Sequence, residues 1–222
     1  MDAYVTGDKN SSNVLVCIFD IFGFWNTTKQ GADLLGDSMK TKIVMPDLFR
    51  NRPWPIDGFP PRDEAEDQKL SQWFESVGNF GERAKDVRAV VDELKSNGAQ
   101  KLGLYGLCWG GNVAVQLAGK DSPFVGVSII HPAFLSPDDA KGFTVPVSFF
   151  PSKVEPKNDA DGFWATMQKE HPDLAAKSQY KYYDENHHGF AAARANLEDK
   201  SNYFAFQDLY TRLADFFCPL FQ

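Results

Sequence analysis

The sequence predicts an α/β fold in which a mainly parallel central sheet carries helices on both faces. Three observations point there. Short apolar runs alternate along the chain with segments whose apolar residues recur at helical spacing. Several of those runs are apolar throughout, as strands covered on both sides must be. No linker, low-complexity tract or internal repeat divides the 222 residues, so they read as a single domain over 1–222.

The elements follow in order. Val14, Leu15, Val16, Cys17, Ile18 and Phe19 form a continuous apolar run and a buried strand over 14–19. A loop with Gly23 and Gly31 leads to a helix over 32–39, and a second buried strand at 42–45 closes at Pro46-Asp47. The proline-rich segment 49–61 reads as a surface loop. Helices follow over 63–77 and 79–97; in the second, Val87, Val90, Val91 and Leu94 share one face, and Gly98 suits its C-terminal cap. A short strand at 101–105 precedes a helix over 108–119. Strands at 124–130 and 145–150, a helix over 161–170, a strand at 179–183 and a helix over 203–217 complete the chain.

Composition excludes several classes. A formal net charge of −7 argues against a nucleic-acid binder, which would present a basic face. Met1-Asp2-Ala3-Tyr4-Val5 lacks a basic stretch ahead of an apolar one, so no secretory signal is expected. No apolar run approaches the roughly 18 residues of a membrane span. Cys17, Cys108 and Cys218 are odd in number and scattered, which suits reduced thiols in a cytoplasmic protein. There is no C-x-x-C pair, and the four histidines are not grouped with cysteine at zinc-site spacing, so no metal is expected.

The chemistry centres on Gly106-Leu107-Cys108-Trp109-Gly110, set between a strand and a helix. This arrangement resembles the nucleophile elbow of α/β-hydrolases, where a sharp turn lifts the nucleophile above the sheet. Its neighbours two residues away must then lack side chains, and both are glycine. With 17 Gly and 3 Cys in 222 residues, chance would produce G-x-C-x-G in roughly one such sequence in fifty, so the pattern counts as evidence. A helix N-terminus also favours thiolate, the nucleophilic form. Cys17, mid-strand, and Cys218, in the last helix, read as packed thiols.

A thiol nucleophile needs a base, and the base an orienting acid. In the α/β-hydrolase fold the order is nucleophile, acid, histidine. His131 and His171 each precede a proline and read as structural. Of the adjacent His187 and His188, the latter is chosen because Gly189-Phe190 follows it directly. Three carboxylates follow the strand at 145–150: Glu155, just beyond it, with Asp159 and Asp161 as alternatives.

Taken together, Ile18-Phe19-Asp20-Ile21-Phe22-Gly23, Pro46-Asp47-Leu48-Phe49, Gly106-Leu107-Cys108-Trp109-Gly110-Gly111 and His188-Gly189-Phe190-Ala191 resemble the dienelactone hydrolase family over nearly the whole chain. The resemblance implies an α/β-hydrolase fold and hydrolysis of a small ester or lactone through Cys108, His188 and Glu155, without cofactor. It implies an oxyanion hole made by the backbone N–H groups of Trp109 and Ile21. Three departures stand out. Glu155 occupies the place of the family's usual Asp, and Asp20 that of a glutamate held to restrain the resting thiol. The arginines that grip a substrate carboxylate have no clean counterpart, since Arg50 is one residue out of place and Arg194 lies too far past His188. Asp20, Phe22, Trp25 and Arg50 are the expected substrate contacts. The aromatic loop (Phe22, Phe24, Trp25, Trp54) suggests a more apolar substrate, although core packing explains most of those rings equally well. The expected partner is that small molecule, with neither nucleic acid nor membrane, for a monomer or homodimer. Two other readings use the same scaffold: a non-hydrolytic relative that binds an apolar ligand or a protein, and an acyl-transfer or isomerase variant acting through the same cysteine.

Overall fold

In the computed structural model, which describes residues 1–222, seven strands form one sheet in the order β1-β3-β2-β4-β5-β6-β7. These are β1 (Ala3–Gly7), β2 (Asn13–Ile18), β3 (Lys42–Pro46), β4 (Lys101–Leu107), β5 (Val127–Ile130), β6 (Val147–Phe150) and β7 (Gln179–Tyr180). Every pairing is parallel except that of β1 with β3. The strand order reverses after β3. Right-handed crossovers therefore place α1 (Asn26–Met39) and α3 (Phe80–Ser96) on opposite faces. On one face α1 packs against the last helix, α7 (Lys200–Leu220); on the other, α3 packs against α4 (Trp109–Leu117), while α2 (Glu64–Glu75) precedes α3 and the short α6 (Pro172–Ala175) precedes β7. Leu15, Val16, Cys17 and Ile18 are wholly buried, as a central strand covered on both faces requires.

Several elements depart from the sequence expectation, among them β5, α6 and α7 by a few residues or a single turn, and four others with a clear physical reason. Strand β1 carries no apolar run, because an edge strand half open to solvent does not need one. Helix α1 begins at Asn26, six residues before the expected start, and Gly31 lies inside it instead of in a loop. A Cβ at Gly31 would fall 2.0 Å from Cζ of Tyr210 on α7, so tertiary packing overrides the weak propensity of Thr27, Thr28 and Gly31. Helix α5 (Lys157–Glu170) also starts four residues early, with Lys157 and Asp161 paired one turn apart. Strand β7 has only two residues, extended by a lone bridge between Ser152 and Tyr183. No helix is long and apolar enough to cross a membrane.

The parallel strands end along one edge. Ile18 on β2 is level with Gly106 on β4, and Leu107 with Ile130 on β5 and Phe150 beyond it. The loops leaving that edge carry the site, as open parallel sheets dictate.

Candidate active site

The turn from β4 into α4 is made by Cys108, whose backbone sits at φ 56 and ψ −114. For a residue with a Cβ this left-handed conformation is strained. Its N–H donates to the Ile130 carbonyl and its own carbonyl accepts from Ala133, so both neighbours hold the strain in place. The flanking glycines are required by contact. A Cβ at Gly106 would lie 2.0 Å from the Gly110 carbonyl oxygen, and one at Gly110 would lie 2.3 Å from that of Ile18. Gly106→Ala therefore lowers the unfolding free energy by about 3 kcal/mol or more, read from the urea midpoint.

The same closeness of Gly110 to the end of β2 sets the following loop against the elbow. Trp109 opens α4, and the first N–H groups of a helix have no acceptor within it. Its buried indole donates to the Gly78 carbonyl at 2.8 Å, and Phe80 stacks on the ring. On the facing loop, the Ile21 carbonyl accepts from Trp54, while the Ile21 N–H has no partner among the backbone bonds.

His188 lies beyond β7, followed by Gly189 at φ 90. Its Nδ1 meets Oε1 of Glu155 at 2.5 Å, with both side chains largely buried. The other Glu155 oxygen accepts from the Ser152 N–H at 2.5 Å, and the hydroxyl of Tyr182 donates to the Glu155 carbonyl. The acid is thus fixed at both ends, which leaves Nε2 of His188 to face the nucleophile. Burial works against the charged imidazole. Cys108, through the negative charge of its thiolate form and hydrogen bonding, and Glu155 outweigh it and push the His188 pKa up to about 10.

The other expected residues are placed as follows. Asp161 is engaged elsewhere, by Lys157 at 2.6 Å and the Tyr180 hydroxyl at 2.7 Å, and Asp159 is half-buried in the first turn of α5, with no bond to His188. Asp20 is buried, and both of its oxygens are taken by backbone N–H groups, those of Phe22 and Ala193, instead of by the Cys108 thiol. Phe22 is buried edge-on to Phe59, whereas Trp25 precedes α1 with 38% of its surface open. Arg50 is not brought to this group, because its guanidinium forks onto Asp86 of α3. Arg194 instead turns back, donating to the His188 carbonyl and lying over the Phe59 ring.

His131, which precedes a proline, reads from the sequence as structural. It is wholly buried, and its ring centroid lies 4.9 Å from that of His188. The available signal was its place at the end of β5, the same sheet edge as the elbow. No group of three or more His, Cys, Asp or Glu side chains is arranged so that it could hold a metal ion.

A strand–elbow–helix cysteine with a carboxylate-held histidine on a later loop of this sheet places the chain among the α/β-hydrolases. The particular group follows from comparison with known proteins: the chain belongs to the dienelactone hydrolase family, whose model matches residues 1–221. An uncharacterized AIM2 family protein of Schizosaccharomyces pombe is 31% identical over all of this chain and 88% of its own length. The hydrolase pyvD of Aspergillus violaceofuscus is 26% identical over 92% of this chain and 80% of its own. The crystal structure of a putative dienelactone hydrolase from Klebsiella pneumoniae superposes with a TM-score of 0.68, covering 97% of this chain and 98% of that one at 16% identity. That last likeness speaks to the fold alone.

Proposed function

We propose that this member of a hydrolase family cleaves small, largely apolar esters or lactones through a thioester on Cys108. The observation that carries the reading is the convergence of Cys108, His188 and Glu155 at one sheet edge, with the His188–Glu155 bond at 2.5 Å. Sγ of Cys108 attacks the substrate carbonyl, and the carbonyl π electrons move onto oxygen, which becomes the oxyanion. The N–H groups of Trp109 and Ile21 receive that charge; one such donor typically contributes a factor of about 10² to 10³ in kcat. His188 holds the thiol proton and delivers it to the leaving alkoxide as the C–O bond breaks. It then takes a proton from the water that attacks the thioester and returns it to the departing thiolate. Glu155 keeps the ring oriented and balances the imidazolium.

An apolar substrate is favoured by the surroundings. A cleft of about 240 Å³ beside Glu155 is lined mainly by apolar residues, among them Pro132, Phe134, Leu135 and Phe149, with Asp159 as a second carboxylate in its wall, and Phe134 exposes 70% of its surface. Arg50, the candidate grip for a substrate carboxylate, is committed to Asp86. The test is to quench the enzyme early in turnover of an activated acetate ester and map its peptides. An acetyl group on the Cys108 peptide, absent from those of Cys17 and Cys218, is the expected result. An unmodified Cys108 during steady turnover overturns the reading, and absence of any turnover or adduct favours a binding protein.

A further inference from the structure

The loop that carries His188 is not held by regular secondary structure. Four successive residues beyond it are tied through their backbone by side chains from elsewhere in the fold. Asn202 donates to the Phe190 carbonyl, Tyr210 to that of Ala191 and Thr27 to that of Ala192, while the Ala193 N–H donates to Asp20. Three of these ties fasten the loop to α1 or α7. The fourth fastens it to the oxyanion loop.

Asp20 stands immediately before Ile21. Its Oδ1 accepts from the Phe22 N–H at 3.0 Å, an Asx turn closed around Ile21, and its carbonyl accepts from the Gly23 N–H. Its Oδ2 reaches across 173 positions of sequence to the Ala193 N–H, also at 3.0 Å. The carboxylate is 2% exposed. Burial pushes its pKa up to about 6, against the pull of those two N–H bonds and of the His188 and Arg194 charges. The other ionisable groups that feel it are Cys17 and Tyr210, on β2 and α7. A buried carboxylate is costly, and this one spends both oxygens on backbone.

We propose that Asp20 is a positioning residue that locks the Ile21 N–H to the His188 loop and so sets the spacing between oxyanion donor and base. It does not act by restraining the resting thiol. The inference rests on the Cys108 acyl chemistry proposed above, and its test separates the two. Cys108 is first shown to be acylated in the unaltered protein, which decides the underlying reading. Asp20→Asn is then compared with Thr27→Val, which loosens the same loop segment but leaves the turn around Ile21 intact.

The expected result for Asp20→Asn is a fall in kcat of about 100-fold, the scale of a misplaced oxyanion donor, with KM within about threefold. Alkylation of Cys108 by iodoacetamide, which needs no oxyanion hole, stays within about twofold of the unaltered rate. Thr27→Val loses less than about fivefold in kcat. An alkylation rate that moves in step with ester turnover, or a Thr27→Val loss equal to that of Asp20→Asn, overturns the proposal. Should Asp20→Asn not fold, Asp20→Glu carries the test by the same criteria, since its longer arm keeps the charge but cannot close the turn onto Phe22.

Discussion

Cys108→Ala abolishes turnover of an activated acetate ester, lowering kcat/KM by at least about 10³-fold. Losing the nucleophile of such a triad costs up to about 10⁶-fold, and the oxyanion hole and binding leave only about 10³ to 10⁴ over the reaction in water. The effect reads as chemistry because alanine keeps a Cβ. The backbone cost of φ 56 at this position is therefore the same in both proteins, and the bonds from Ile130 and Ala133 to the turn remain. Cys108→Ser is nearly as inactive: its hydroxyl, far less acidic than a thiol, meets a base placed for sulfur. Steady-state kinetics with a urea denaturation curve for each variant check the result. A Cys108→Ala protein with unchanged turnover removes the nucleophile from this site.

Glu155→Gln lowers kcat by about 10² to 10⁴-fold, the range set by loss of the acid that orients a catalytic histidine. Glutamine can still accept from Nδ1 and from the Ser152 N–H, but it carries no charge. The His188 pKa therefore drops below about 10. The sign for stability follows from that shift. A histidine whose folded pKa lies above its unfolded value, near 6.5, stabilises the fold fully below the unfolded value. It loses that contribution as pH rises through about 10. The unaltered protein thus loses stability on raising the pH from about 6.5 to 10, and Glu155→Gln loses less. Urea midpoints across that range, with NMR titration of the His188 ring, measure both. Equal slopes in the two proteins rule out an imidazolium held by Glu155.

What the sequence revealed follows from which interactions are local. Strand β2 was legible because a strand buried on both faces must be apolar at every position. The elbow was legible because a turn with φ near +56 at Cys108 brings backbone so close that a Cβ at position 106 or 110 would fall 2.0 or 2.3 Å from a carbonyl oxygen, which admits only glycine there. The early start of α1 was hidden, since the weak helix formers Thr27, Thr28 and Gly31 are held in it by contacts distant in sequence, Tyr210 against Gly31 and the Ala192 carbonyl on the Thr27 hydroxyl. The choice among Glu155, Asp159 and Asp161 depends on the path of the chain between β6 and α5. That path is fixed by Ser152, Tyr182 and Tyr183 across a bridge no local pattern announces. Asp20 illustrates the same limit: its motif suggested a substrate or thiol contact, but its second partner is Ala193, far along the chain.

The paired imidazoles at the end of β5 have a consequence for how protons are counted here. His131 has no hydrogen-bond partner on either ring nitrogen, and burial with the neighbouring His188 charge holds its pKa well below the usual histidine range. Two rings with centroids 4.9 Å apart could otherwise share a mobile proton, leaving the base half-charged at the wrong moment. Because His131 stays neutral, a proton leaving the thiol has one destination in that pair.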